Sequence, residues 1–336
     1  MGIQYDISRR HMLAMSAATV AISAMGAHAQ APAAKRIEQF DPALDKIIST
    51  SEPIKEIASG FGGDLGPAEG PVWIKEGGHL LFSDIHNNRR MKYTPGQGVS
   101  VFLEPTNRAN GLTRDLQGRV VACEQITRRV TRRELDGSLT VIANSFQGQR
   151  LNRPNDVVVK SDGSIYFTDP TGPAAPEQWD LSFAGVFRVS ADLGTMTLLV
   201  NDFLTPNGLA FSPDESVLYI NDTRRGHIRA FDVAPNGTLA RQTDRVFADL
   251  RGPEPGVPDG MKVDVAGNVF CGGAGGIYVL DPKGKKLGRI VHGQPATTNM
   301  AFGGDDWKTL FFTSRTMLGS VNVKIPGIPV PVAKKV

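Results

Sequence analysis

Cysteine and histidine are scarce in this chain of 336 residues, which contains two cysteines and six histidines. Neither Cys123 nor Cys271 has a second Cys or a His nearby at the spacing of zinc ligands, so the sequence predicts no zinc–thiolate site and no thiolate chemistry. Each cysteine comes late in an apolar stretch. Two buried thiols are therefore expected rather than a disulfide.

The chain also lacks a dense basic tract. Its 37 Lys and Arg residues nearly balance 34 Asp and Glu residues, and the formal net charge is +3. The pairs Arg128-Arg129 and Arg132-Arg133 are isolated and are typical of solvated strand faces. No nucleic acid partner is expected.

A hydrophobic run long enough to span a membrane is missing at the N-terminus. The apolar stretch from Met12 to Met25 falls short of the ~20 residues that a span needs. It follows the pair Arg9 and Arg10 and precedes an A-x-A pattern that ends at Ala29. This combination predicts a cleaved twin-arginine export signal over residues 1–29, with a membrane anchor as the alternative. The mature protein is then periplasmic or secreted, without stable membrane insertion.

Glycine and proline, in contrast, are abundant and spread along the chain, as is typical of short strands joined by tight turns. One phrase recurs: an oxygen-bearing side chain, a small or apolar pair, an apolar strand, a turn and a second apolar strand. Its copies begin at intervals of 41, 45, 52, 52 and 40 residues, at Glu69, Asn110, Asn155, Asn207, Asp259 and Asn299. Four strands per repeat, six times over, predict an all-β, six-bladed β-propeller. A two-sheet sandwich, the main alternative, does not account for the regular intervals.

The remaining segments complete the predicted domain organisation. Residues 30–58 are interpreted as an N-terminal linker with one short helix, and residues 59–336 as the propeller domain. The stretch from Ile54 to Phe61 can supply the outer strand of the last blade, beside GSVNVKIP near the C-terminus. The chain ends would then close the ring.

Residues at the same place in each repeat lie on one circle around a propeller axis. The six oxygen-bearing residues that begin the repeats would therefore face a central channel. Carboxylates and amides without His or Cys suit a hard divalent cation, most of all Ca²⁺, with Mg²⁺ and Mn²⁺ as alternatives and Zn²⁺ the least suited. Asp156 follows Asn155 where other repeats have Gly or a hydrophobic residue, so we expect it to cap the turn locally.

A second in-phase set of acids closes the hairpins. Its members are Asp84, Glu124, Asp169 and Asp222. Acids at strand ends more often accept hydrogen bonds from backbone amides than line a channel, and that interpretation is preferred.

Several motifs together resemble the gluconolactonase / regucalcin (senescence marker protein) lactonase family over about residues 60–315. They are EGPVW, NRPNDVVV, DGSIYFTDP, TPNGLAFSPDESVLYI, PDGMKVDVAGNVF and TNMAFGGDDWKTLFFT. The resemblance implies a six-bladed propeller with one divalent metal, held by Glu69, Asn155, Asn207 and Asp259. It also implies that Arg153 contacts the substrate. Asn110 and Asn299, to which it gives no ligand role, are candidates for lining the substrate pocket.

The expected activity is the metal-dependent hydrolysis of a small-molecule sugar lactone to the aldonic acid. Asp259 is the candidate general base, and a metal-coordinated water that loses its proton without it is the alternative. A metal-dependent esterase or phosphotriesterase, and a calcium-binding propeller without turnover, are the competing classes. Trp179 and Phe183, in the loop after Pro170, are expected either to stack on a sugar ring or to pack the loop.

Overall fold

The computed structural model describes residues 34–172 and 179–332. The predicted export signal lies outside the described residues. Within them, the only helices are two short 3-10 helices, Pro42–Lys46 and Lys75–Gly77. No helix in this part of the chain has the length and hydrophobicity that a membrane span requires.

The strands of the described residues form six antiparallel sheets and one small hairpin. The chain begins with β1 (Arg36–Gln39) and β2 (Lys55–Ser59), which join sheets formed later. Blade 1 contains β3 (Ala68–Ile74), β4 (His79–Asp84), β5 (Arg89–Thr94) and β6 (Gly98–Leu103). Blade 2 contains β7 (Ala109–Arg114), β8 (Val120–Glu124), β9 (Arg129–Arg133) and β10 (Leu139–Ala143), and is followed by the hairpin of β11 (Ser145–Phe146) and β12 (Gln149–Arg150).

The other four blades follow in chain order. Blade 3 contains β13 (Val157–Val159), β14 (Ile165–Asp169), β15 (Gly185–Val189) and β16 (Met196–Val200). Blade 4 contains β17 (Pro206–Phe211), β18 (Val217–Asp222), β19 (His227–Val233) and β20 (Leu239–Asp249). Blade 5 contains β21 (Met261–Val263), β22 (Val269–Gly273), β23 (Gly276–Leu280) and β24 (Lys286–Val291), and blade 6 contains β25 (Thr297–Gly303), β26 (Thr309–Ser314) and β27 (Met317–Asn322).

The recurring phrase forms the two inner strands of each blade. In blade 3, Val157 pairs with Phe167 and Val159 with Ile165, and the turn between them places Gly163 at a φ of 87°, which glycine adopts without strain. The residues of β14 are all buried. Because both faces of the inner strands pack against other blades, they read as continuous apolar runs.

The innermost strands contact one another in sequence, and β25 of blade 6 contacts β3 of blade 1. The sheets therefore form a closed ring, which confirms the six-bladed propeller. The predicted closure is confirmed as well, since β2 pairs with β27, with Lys55 opposite Ser320 and Ser59 opposite Met317. Blade 6 thus takes strands from both ends of the described chain.

The interpretation of residues 30–58 as a linker has to be corrected for the part that the structure describes. β1 adds a fifth strand to blade 5, with Arg36 opposite Val291. Leu44, in the first 3-10 helix, is fully buried, and a Cβ atom at Gly288 would lie 2.5 Å from its Cδ2 atom. This segment packs into the propeller because it carries apolar side chains that blades 5 and 6 cover.

Candidate functional site

The six residues that begin the repeats gather at the start of the innermost strands, around the propeller axis. Glu69, Asn110, Asn207 and Asn299 lie within β3, β7, β17 and β25, whereas Asn155 and Asp259 come just before β13 and β21. The first four side chains are buried, and the last two are partly exposed. The channel thus carries oxygen-bearing side chains from every blade, as the repeat predicts.

Hydrogen bonds between neighbouring blades fix the backbone of this ring. Ser83 of β4 donates to the carbonyl of Asn110 (2.7 Å), and Thr168 of β14 donates to the carbonyl of Asn207 (2.8 Å). Asn221 of β18 donates in the same way to the carbonyl of Asp259. Each donor is the next-to-last residue of a second strand, so one blade holds the ring residue of the next.

Glycine after the ring residue allows the blades to approach the axis closely. A Cβ atom at Gly70 would lie 2.2 Å from the carbonyl oxygen of Asn110, and one at Gly208 would lie 2.3 Å from that of Asp259. Gly111 and Gly260 are restricted in the same way by blades 3 and 6. The glycines in EGP, NGL, PNG and PDG therefore serve close packing around the channel.

Blade 3 departs from this pattern, because Asp156 stands where these four blades have glycine. Its Oδ1 atom accepts a hydrogen bond from the backbone of Val157 (2.9 Å), as expected for a local cap. Its Oδ2 atom, however, lies 3.3 Å from Nδ2 of Asn299, which comes from blade 6 across the ring. The expectation of a purely local role is therefore wrong: Asp156 is almost fully buried and belongs to the channel.

Asn299 joins two of the channel acids. Its Nδ2 atom donates to Glu69 (3.0 Å) as well as to Asp156, and its Oδ1 atom accepts from the backbone of Met300 (2.8 Å) and faces Nζ of Lys262 at 3.4 Å. These contacts give Asn299 a role in holding the acids. Its predicted contact with substrate stays a prediction.

The carboxylates of Glu69, Asp156 and Asp259 thus lie in the same channel. Their negative charges contribute to raised pKa values. Burial, reinforced by the charge of Asp156, raises the pKa of Glu69 to about 7. Burial also raises the pKa of Asp259, with further contributions from Glu69 and Asp156. The positive charge of Lys262 offsets the rise in the pKa of Glu69 only in part. A cation among these side chains would relieve the repulsion.

Unpartnered acceptor atoms provide the test of whether a cation fits. Three acceptor atoms are buried and have no hydrogen-bond donor in the part of the chain that the structure describes: Oδ1 of Asn110, Oδ1 of Asn207 and Oδ1 of Asp259. Such atoms are rare in folded proteins unless a ligand completes them. No three His, Cys, Asp or Glu residues in the described part form a metal-binding group by themselves, so amide oxygens would have to complete the donor set. An all-oxygen set of mixed charge suits a hard divalent cation.

Three of the four acids at the hairpin ends accept hydrogen bonds from the backbone of loops, as the sequence predicts. Glu124 is the exception, because the donors to its carboxylate in the described residues are side chains, among them Asn107 (2.9 Å) and Thr131 (2.9 Å). Asp169 accepts hydrogen bonds from the backbone N–H groups of Asn152 (2.7 Å) and Arg153 (2.6 Å). Asp84 and Asp222 accept from the backbone of the loops before β3 and β17 in the same manner. Asp169 thereby fixes the approach of Arg153 to the site.

A cavity of about 470 Å³ is lined by the segments that lead to the ring residues of blades 2 and 3. Its wall includes Arg153, whose Nη2 atom donates to Oε1 of Gln125 (2.6 Å), together with Arg108 and Trp179. Phe183 instead packs against Phe187 (ring centroids 6.5 Å apart). Of the two aromatic candidates, Trp179 therefore faces the cavity and Phe183 packs the loop.

Comparison with known proteins places this site in a family. The family described as "SMP-30/Gluconolactonase/LRE-like region" matches residues 67–316. The gluconolactonase of Zymomonas mobilis is 35% identical over 96% of this chain and 99% of its own. The chain belongs to this family. The pentonolactonase XacC of Haloferax volcanii is 30% identical over 73% of this chain and 80% of its own.

A solved structure agrees with this membership. A gluconolactonase of Xanthomonas campestris superposes with a TM-score of 0.77 at 30% identity, covering 87% of this chain and 96% of the other. The resemblance stated from the sequence motifs is confirmed. The relatives named here are hydrolases of lactone bonds, and this member of the SMP-30/gluconolactonase family is likewise a hydrolase of the lactonase type.

Sequence reasoning missed two features of this family member's site. The sequence predicts only a local cap for Asp156, because the other repeats have no acid at its position, although that exception is itself a signal. Arg108 was passed over as well, although the phrases NRAN (107–110) and NRPN (152–155) give it the same spacing as Arg153. The cysteines agree with expectation: both are free and buried, and burial raises the pKa of Cys271 to about 12.

Proposed function

We propose that the protein hydrolyses a sugar lactone to the open-chain acid with a divalent cation in the propeller channel. The observation that carries the proposal is the set of buried acceptor oxygens without donors at the axis, next to a cavity of substrate size lined by hydrogen-bond donors. Membership in a lactonase family supports the same reaction.

Glu69, Asn155, Asn207 and Asp259 would hold the cation, and Ca²⁺ suits this donor set best, with Mg²⁺ and Mn²⁺ as alternatives. When bound, the cation supplies positive charge that polarises the lactone carbonyl and neutralises the acids around it. Asn299 positions Glu69 through its hydrogen bond, and Asp156 adds its charge to the negative field of the channel.

Side chains of the protein carry out the proton transfer and orient the substrate. Asp259, with an unpartnered carboxylate oxygen, accepts a proton from the water that attacks the carbonyl carbon. The ring C–O bond then breaks, and the leaving alkoxide oxygen takes up the proton that Asp259 accepted from the water. Arg153 and Asn110 orient the hydroxyl groups of the substrate, and Asp169 holds the backbone of Arg153 in place.

The test combines point variants with removal of the cation. We expect Asp259→Ala and Asn155→Ala to reduce lactone hydrolysis by at least about 100-fold. Each substitution removes a ligand of the cation, and Asp259→Ala removes the general base as well. Asp305→Ala, in the exposed turn between β25 and β26, is the matched control. Chelation should abolish the activity, and added Ca²⁺ should restore it, in a pH-indicator assay with several lactones.

Activity that survives exhaustive chelation would refute the role of the cation. Hydrolysis of phosphotriesters or linear esters in preference to lactones would favour the competing enzyme class. Calcium binding without turnover of any ester would favour a binding propeller.

A further inference from the structure

Blades 2 and 3 carry the same four-residue pattern before their innermost strands. Asn107-Arg108-Ala109-Asn110 and Asn152-Arg153-Pro154-Asn155 both place an arginine two residues ahead of the ring asparagine. Because equivalent positions of adjacent blades lie side by side, the two arginines flank one another at the mouth of the channel. Both line the cavity of about 470 Å³.

Neither arginine has an acidic partner within the described residues. Arg153 donates to the neutral side chain of Gln125, and Nε of Arg108 is buried without any acceptor. Two half-buried guanidinium groups that repel each other are unfavourable unless an anion lies between them.

The third arginine of this wall, Arg128, has an acidic partner. Arg128 is an ion-pair partner of Asp180 at 3.4 Å and also donates to the carbonyl of Leu151. Asp64, the acid in the cavity lining, is exposed and forms no ion pair with Arg108 or Arg153 in the part of the chain described.

A further donor faces the same space. Nε1 of Trp179 is buried and has no hydrogen-bond acceptor among the described residues, and Trp179 also lines the cavity. The mouth therefore has donors without acceptors, whereas the ring below it has acceptors without donors. The donors at the mouth suit an anion, and the acceptors of the ring suit a cation.

We propose that Arg108 and Arg153 form an anion subsite at the channel mouth, which selects lactones carrying a carboxylate, phosphate or sulfonate away from the reacting ester. This inference rests on the proposed lactonase function and specifies its substrate class. Guanidinium groups suit such anions because their N–H donors match the oxygens of these groups. The reacting carbonyl would meanwhile lie at the ring, close to Asp259.

The experiment compares two lactones that differ only in charge: δ-gluconolactone, and its counterpart with a phosphate, sulfonate or carboxylate at carbon 6. In Arg108→Gln, we expect kcat/KM for the anionic lactone to fall at least about tenfold more than that for the neutral lactone, mainly through KM, as for loss of one charged hydrogen bond. Arg108→Lys should recover part of the difference. Arg245→Gln, on the outer strand β20, should change neither lactone.

A second measurement separates the substituent from the carboxylate that ring opening produces. Inhibition of the wild type by 6-phosphogluconate should be stronger than inhibition by gluconate, and Arg108→Gln should weaken only the former. An equal loss for both lactones in Arg108→Gln, or equal inhibition by both acids, overturns the anion subsite while leaving lactone hydrolysis intact. Absence of hydrolysis of either lactone by the wild type overturns the proposed function instead.

Discussion

At the scale of single residues, the side chain that most changes the view of the channel is Asp156. It places a third carboxylate beside Glu69 and Asp259, and it contributes to the raised pKa of both. Its contact with Asn299 links blade 3 to blade 6 across the ring. A cation at the axis would meet this negative charge as well as the charges of its own ligands.

Replacing Asp156 should therefore weaken cation binding. In Asp156→Asn, which keeps the shape of the side chain but removes its charge, we expect the affinity for Ca²⁺ to fall about 10- to 100-fold, as is common when a residue supporting the ligands is lost. Isothermal titration calorimetry measures this directly, with Asp305→Asn as the control. An unchanged affinity would show that the charge of Asp156 does not act on the cation.

His292 provides a prediction for stability against pH. Burial lowers its pKa to about 4, and its Nε2 atom lies 2.6 Å from Oγ1 of Thr297. The folded state keeps the imidazole neutral, whereas the unfolded chain binds a proton below about pH 6.5. The unfolding free energy should therefore fall by up to about 3 kcal/mol as the pH drops from about 6.5 to about 4.

Urea unfolding at several pH values tests this for His292→Gln against wild type. The variant should lose part of the pH dependence between 6.5 and 4, while His79→Gln, in a partly exposed position, should keep it. Equal slopes in the wild type and in His292→Gln would contradict the assignment.

At the scale of elements, the sequence predicts what is local and repeated. The hairpin from Val157 to Asp169 follows from its apolar pattern and from the turn at Asp162-Gly163, and the other blades repeat it. The strand β1 could not be predicted in this way, because it is four residues long and its partner β24 lies at the other end of the chain. Only the tertiary contact makes it a strand.

The candidate site likewise has one part that the sequence predicts and one part that it does not. The oxygen ring could be predicted, since six copies of one position share a chemical property. The lack of an acidic partner for Arg108 could not be predicted, because it depends on which acids of other loops lie close to its guanidinium group. Asp84, Asp169 and Asp222 accept hydrogen bonds from backbone amides, and within the described residues none of them forms an ion pair with Arg108.

The N-terminal segment gives a prediction for this scale. Leu44→Ala should destabilise the protein by about 2–5 kcal/mol, because its side chain is fully buried against blade 5. Leu135→Ala, at a position that is 85% exposed, is the control and should have little effect. Denaturant unfolding monitors both, and an unaffected Leu44→Ala variant would restore the linker interpretation.

At the scale of the whole molecule, we propose that residues 1–29 direct the protein to the periplasm by the twin-arginine route, which carries folded proteins. In the variant with both Arg9→Lys and Arg10→Lys, we expect the protein to accumulate in the cytoplasm in active form, because the arginine pair is the recognised part of the signal. Cell fractionation followed by an activity assay measures this. Arg36→Lys, beyond the signal, is the control, and an unaltered distribution in the double variant would refute the proposal.

The pairing of β2 with β27 also sets the order of events during synthesis. The segment that completes the last blade leaves the ribosome near the beginning, and its partner leaves near the end. Until β27 has been synthesised, blade 6 is incomplete, and β2 is a free edge that could pair with another chain. A chain that ends before β27 is therefore an open ring, and under the proposed export route only a chain that includes β27 would be presented to the exporter in its closed state.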